Sequence, residues 1–137
     1  MQKAFSRDIQ ALDDVFDFLD TFIALHRLND SVAFTIKFAV EEIFTNMVKY
    51  NSEGTNDIAI ALQVDGEKAT VRLVDFEAIP FDITKAESVN ANLPIEKRKP
   101  GGLGIHLVKT MVDSVNFDHA ENRSTITLTI RLDKGNV

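Results

Sequence analysis

Three short stretches of the sequence carry side chains suited to chemistry. In "EEIFTNMVKY", Glu42, Asn46 and Lys49 are spaced four and three apart, so on a helix they share one stripe. A carboxylate there can act as a general base or hold an activating water. A carboxamide oxygen can ligate Mg2+, which takes hard oxygen ligands together with substrate phosphates. An ammonium pairs with phosphate as a point charge. In "VRLVDFEAIPFD", Asp75 follows the strand-like run of Val71, Leu73 and Val74. An acid at that place can point into a cleft and accept a hydrogen bond from an amino group. In "RKPGGLGIHLV", Gly101, Gly102 and Gly104 run directly into an apolar helical pattern, with Lys97, Arg98 and Lys99 just ahead. Bare amides entering a helix N-terminus favour an anion. The spacing is neither that of a P-loop nor that of GxGxxG. Each stretch has an ordinary alternative: a solvated helix face, a turn-forming Asp, a glycine-rich turn.

Helices and strands must position these groups, and the hydrophobic pattern predicts both. "DIQALDDVFDFLDTFIALHRL" places Ile9, Leu12, Phe16, Leu19 and Ile23 on one helical face, with Ser6 or Asp8 as its cap and Asp13, Asp14, Asp17 and Asp20 on a solvated side. A second helix follows, with Ile36, Val40, Ile43 and Met47 in the same spacing and Asn29, Asp30 or Ser31 to cap it. Beyond "NSEGTND" the period falls to two. Ile58, Ile60, Leu62 and Val64 form one strand, "DGEK" a hairpin turn and "ATVRLVDF" the return strand. Ile126, Leu128, Ile130 and Leu132 alternate with threonines in a further strand. A third helix is expected in "GIHLVKTMVDSV", after a polar stretch between Pro80 and Pro100 whose length suits a lid. The expected fold class is α+β. It is a two-layer α/β sandwich whose mixed, mostly antiparallel sheet carries helices on one face.

Composition narrows the function. The 137 residues suit one domain, residues 1–137. Hydrophobic residues at 45% and charged residues at 26% give an ordinary globular balance. With no cysteine, disulfides and thiolate metal sites are excluded, and a reducing, cytoplasmic setting fits. A net charge of −6 argues against direct nucleic-acid binding, which needs cations to displace counterions. No apolar run approaches the ~20 residues of a membrane span. His26 and His119 lack the companions of a metal site, and His106 falls just inside the expected third helix, near the lid.

The order of the motifs is more informative than any one of them. An acid–Asn helix, a hairpin, a strand-end Asp, a long lid and a glycine turn onto a helix succeed one another. Together they resemble the GHKL (Bergerat-fold) ATPases and kinases, and within these the bacterial anti-sigma-factor serine/threonine kinases. "EEIFTNMVKY" is similar to the N box, "DFEAIPFD" to the first glycine box and "PGGLGIHLVKTMVD" to the second, while "ENRSTITLTIRL" resembles the closing strands. The resemblance spans roughly Phe5 to Leu132.

It implies ATP and Mg2+ as cofactors. Glu42 would be the catalytic base, Asn46 the Mg2+ ligand, Lys49 a phosphate contact and Asp75 the acceptor for the adenine amino group. Gly101, Gly102, Leu103 and Gly104 would follow the triphosphate, and the lid would cover about residues 82–100. The implied reaction moves the γ-phosphoryl group of ATP to a hydroxyl on an anti-anti-sigma (STAS-type) protein. A sigma factor is the second implied partner, and a homodimer is possible within the subfamily. One departure stands out: Glu77 occupies the place of the first-box glycine. Side-chain bulk and a like charge beside Asp75 would weaken nucleotide binding. The alternative function is therefore a non-catalytic partner-binding module of the same fold. The ATPase half of a histidine kinase fits less well, since His26 has no phosphoacceptor context.

Overall fold

The computed structural model describes residues 1–50, 54–76 and 102–132. The elements in chain order are β1 (Gln2–Phe5), a 3-10 turn (Ile9–Ala11), α1 (Leu12–Leu25), α2 (Asp30–Tyr50), β2 (Ile58–Asp65), β3 (Lys68–Asp75), α3 (Gly102–Met111), β4 (Ser114–Ala120) and β5 (Arg123–Arg131). The expected lid at 82–100, Glu77 and Gly101 lie outside the described residues.

The strands form one sheet in the order β1-β2-β3-β5-β4. Each pairing among the described residues is antiparallel, so the sheet is more regular there than the mixed one expected. Ile58, Ile60 and Leu62 on β2, Ala69, Val71 and Leu73 on β3, and Ile126, Leu128 and Ile130 on β5 are buried at alternate positions. They meet Ile36, Val40, Ile43, Phe44 and Met47 of α2 and Ile105 and Val108 of α3 in one core. The opposite sheet face carries half-buried Thr125, Thr127 and Thr129. Helices on one side and polar residues on the other follow from this parity.

Local chemistry fixes the turns and caps. Asn29 Oδ1 accepts from Val32 N at 2.8 Å and starts α2, while Asp8 Oδ1 accepts from Gln10 N at 2.9 Å and starts the 3-10 turn. The β2–β3 hairpin turns at Gly66, φ 61°, with Asp65 paired to Lys68. Between β4 and β5, Glu121 and Asn122 both adopt positive φ (54° and 63°), the geometry of a type I′ turn.

Three expectations change. β1 pairs with β2 at the sheet edge, where the sequence showed no strand. The third helix spans Gly102–Met111 rather than continuing through Val115, and Ser114–Ala120 is a strand. On α1 the buried residues are Val15, Leu19 and Phe22, with Ala11 just before them; Leu12 and Phe16 pack at the margin and Ile9 is exposed. The helix carries apolar residues on two adjoining stripes, and the core takes the one centred on Leu19. Among the described residues no helix is long and apolar enough to cross a membrane.

The end of α1 generates a prediction. Leu28 N donates to Ile23 O, and Arg27 N to Ala24 O, with Arg27 at φ 52°. This is a Schellman cap with arginine in the left-handed position that glycine normally takes. A left-handed L-residue costs about 1–2 kcal/mol, against about 0.5–1 kcal/mol for the extra unfolded-state freedom of glycine. Arg27→Gly should therefore stabilise the fold by about 0.5–1 kcal/mol, seen as a higher urea midpoint with unchanged slope. A lower midpoint would show that the arginine side chain contributes more than its backbone costs.

Candidate active site

Helix α2 is 21 residues long and serves two faces. One face supplies Ile36, Val40, Ile43 and Met47 to the core. The stripe beside it carries Glu42, Asn46 and Lys49. Asn46 is 5% exposed, and its Nδ2 donates to the Glu42 carbonyl at 2.6 Å. With the amide nitrogen committed to the helix, Oδ1 is the end of the side chain suited to a hard cation. Lys49 is exposed at the end of the stripe.

The Glu42 side chain lies against the first turn of α3. A Cβ at position 104 would stand 2.9 Å from its Oε1 and closer still to Cδ and Oε2. Gly104 thus leaves bare the space that the carboxylate fills. Burial raises the Glu42 pKa above its ordinary value, the neighbouring Glu41 raises it further, and Lys49 pulls it back. A half-buried carboxylate with a raised pKa suits a group that takes up a proton.

Asp75 owes its direction to strand parity. Ala69, Val71, Leu73 and Asp75 are the inward positions of β3, and Asp75 is the last of them. It pairs in register with Ser124 on β5, which in turn pairs with His119 on β4. Ser124 is buried, and a hydrogen bond of 2.9 Å joins its Oγ to His119 Nδ1. The polar end of the sheet's inner face is therefore a row across three strands. Arg7 completes it from the segment between β1 and the 3-10 turn. Its Nη1 donates to Asp75 Oδ2 at 3.2 Å and its Nη2 donates to Asp75 Oδ1 in a close ion pair. Nη1 also donates to Met47 O at 3.3 Å and Nε to Asn56 O at 3.2 Å.

The structure thus gathers Glu42, Asn46 and Lys49 on α2, sets Gly104 against Glu42, and ties Asp75 through Arg7 to the carbonyl next to Asn46. Gly102 and Leu103 form the opening of α3. Sequence reasoning missed Arg7, Ser124 and His119. Ser124 had a usable signal, a polar residue at the inward parity of Ile126, Leu128 and Ile130. Arg7 had none. The donor set fits Mg-ATP in kind: one carboxamide oxygen for the ion, which would draw its other ligands from phosphate and water, and a deep carboxylate for an amino group.

A sheet backed by helices, with an acid–Asn helix beside a glycine-led one, is the arrangement expected of a histidine kinase-like ATPase domain. The chain belongs to the histidine kinase-like ATPase domain family (HATPase_c_2), which matches residues 5–130. Among curated proteins it is 30% identical over 97 residues to the serine-protein kinase RsbW of Listeria innocua, covering 66% of this chain and 61% of that protein. It is 25% identical over 96 residues to RsbW of Bacillus cereus, where the match covers 59% of the relative. The match thus spans about three fifths of each relative's length. Of solved structures, the RsbU and RsbW domains of Rv1364c from Mycobacterium tuberculosis superpose with a TM-score of 0.71 at 18% identity, covering 96% of this chain and 32% of that one. The SiaB–SiaC complex from Pseudomonas aeruginosa gives 0.65 at 10% identity, covering 95% and 88%. These likenesses establish the fold, and the sequence matches agree with the anti-sigma kinase subfamily that the motifs resemble.

Two predictions follow from the Glu42–Gly104 contact. The group that a Cβ at position 104 would meet is the far end of a flexible side chain, which can rotate away. Gly104→Ala should therefore unfold within about 1 kcal/mol of the unaltered chain, while moving the Glu42 carboxylate from its seat. A loss well beyond that, measured by thermal melting, would mean that the backbone itself is displaced. The second concerns ionisation. The folded-state pKa of Glu42 is raised, so its contribution is full below the unfolded value near 4.5 and is lost as pH rises through the folded value. Glu42→Gln should melt at a higher temperature than the unaltered chain at pH 7.5, and the difference should shrink towards pH 4.5. A difference independent of pH would assign the effect to packing.

Proposed function

We propose that this chain is an ATP-dependent serine/threonine kinase of the anti-sigma type, which transfers the γ-phosphoryl group of ATP to a hydroxyl on a small anti-anti-sigma partner and also holds a sigma factor. The observation that carries the reading is the Glu42 carboxylate, half-buried, raised in pKa and seated on the bare backbone of Gly104, one helical turn from the buried amide of Asn46. The names of the RsbW relatives and the pairing of SiaB with SiaC support the choice of reaction and partner class.

In this reading the partner's hydroxyl oxygen attacks the γ-phosphorus, the bond to the β-phosphate bridging oxygen breaks, and ADP leaves. Glu42 takes the hydroxyl proton. Bound Mg2+ would supply charge neutralisation on the phosphates. Asn46 would hold that ion through its Oδ1, and the bond from its Nδ2 to the Glu42 carbonyl fixes the direction of the amide. Lys49 adds positive charge at the end of the stripe and favours the ionised form of Glu42. Asp75 accepts from the base. Phosphoryl transfer needs positioning and charge stabilisation above all, and these residues divide that work.

Nucleotide at 100 times its dissociation constant adds ~2.7 kcal/mol of stability. For a chain of this length that raises the melting temperature by roughly 5–10 °C. The expected results are such a shift with millimolar Mg-ATP, and phosphate transfer to an anti-anti-sigma protein that Glu42→Ala abolishes without removing the shift. No shift overturns the nucleotide reading. A shift without transfer leaves a nucleotide-gated binding module. Where transfer occurs, its rate should fall as pH drops through the raised Glu42 pKa. Lys49→Met should move that acidic limb to higher pH and Glu41→Gln to lower pH. An unmoved limb in both variants would assign the proton to another group.

A further inference from the structure

Arg7 stands far from the site in sequence and inside it in space. Its side chain is 1% exposed and that of Asp75 6% exposed, so the ion pair is almost wholly buried. Both terminal nitrogens of the guanidinium face the two oxygens of one carboxylate, the bidentate arrangement that fixes direction as well as distance. The guanidinium is itself held from other sides. It donates to the carbonyl of Met47 in the last part of α2 and to the carbonyl of Asn56 just before β2. The backbone that carries Arg7 is also anchored, with Phe5 paired to Ile58 on one side and Asp8 capping the 3-10 turn on the other. A long side chain held at four acceptors has one geometry, and so does the carboxylate it grips.

We propose that Arg7 is a positioning residue for base recognition: it locks the Asp75 carboxylate in the one orientation in which it accepts the exocyclic amino group of a purine. The inference rests on the reading of Asp75 as the base acceptor. A carboxylate offers about four acceptor sites and the guanidinium uses two of them, so the pairing does not by itself exhaust Asp75. What the pairing removes is rotation. A free carboxylate in a pocket can turn its oxygens towards water or a backbone amide, whereas one clamped by a fork cannot. Discrimination between purines depends on that fixity, because a site built to bond an amino group rejects a ligand lacking it only if the acceptor cannot find another donor. The proposal makes Arg7 a determinant of selectivity, with no contact to the nucleotide required of it.

The test compares two nucleotides, ATP and purine riboside triphosphate, which lacks the 6-amino group. Dissociation constants are measured for the unaltered chain, Arg7→Lys, Arg7→Gln and, as the reference for complete loss, Asp75→Asn. Arg7→Ala is avoided, since it strands a buried carboxylate without its partner; Arg7→Lys keeps the charge and removes the fork, and carries the test if Arg7→Gln does not fold. The unaltered chain should prefer ATP by tenfold or more. In Arg7→Lys that preference should fall at least fivefold, towards the Asp75→Asn value, with affinity for the amino-free analogue changed less than about threefold. Equal weakening of both nucleotides with the ratio kept would make Arg7 a structural residue only and overturn the inference. A ratio near one in the unaltered chain would remove Asp75 as a base contact, and the role of Arg7 with it. The two failures are thus told apart by which protein shows them.

Discussion

The Glu42 carboxylate occupies space that any side chain at position 104 would fill. That contact marks where α2 and α3 meet at the site, and it gives the glycine-rich turn a purpose besides its bare amides. Glycine at 104 keeps that seat open for the Glu42 carboxylate. Behind the contact, Ile43 and Ile105 pack in the same core, so the approach of the two helices is fixed by burial. The polar contact and the apolar packing specify the same geometry, and consistency of that kind marks a designed site rather than an accidental one.

The second constraint comes from the sheet. A strand with one buried face must put something at its last inward position, and on β3 that residue is Asp75. Burying a carboxylate without partners would be costly. The fold answers with a guanidinium from the N-terminal segment and a polar row of Ser124 and His119 on the neighbouring strands. The inner face of the sheet is therefore apolar through most of its length and polar at one end. That end meets the later part of α2, since Arg7 also bonds the Met47 carbonyl. The site lies where the core stops.

Much of this was legible in the sequence. The helical period of α2 predicted both its core face and the stripe of Glu42, Asn46 and Lys49, because one amphipathic helix determines its own geometry. The β2–β3 hairpin was legible from "DGEK" between alternating runs. The boundary between α3 and β4 was not. Ile105, Val108, Val112 and Val115 keep helical spacing across it, while Val115, Phe117 and His119 begin a two-residue period at the same place, so the two patterns overlap. On α1 the adjoining apolar stripes left the choice of buried face to the tertiary fold. Edge strand β1 has only Phe5 buried, which gives no alternation to detect. The Arg7–Asp75 pair spans 68 residues, and no local pattern foretells a contact of that range.

Glu42 also ties folding to the solvent. Its pKa is higher in the folded chain than its ordinary value of 4.5, so between those two values folding draws a fraction of a proton from the buffer and unfolding returns it. The heat of unfolding at such a pH then includes the heat of protonating whatever buffer is present. Calorimetry in two buffers of different ionisation enthalpy, set against the same measurement on Glu42→Gln, would isolate the carboxylate's share with no nucleotide, metal or partner in the cell.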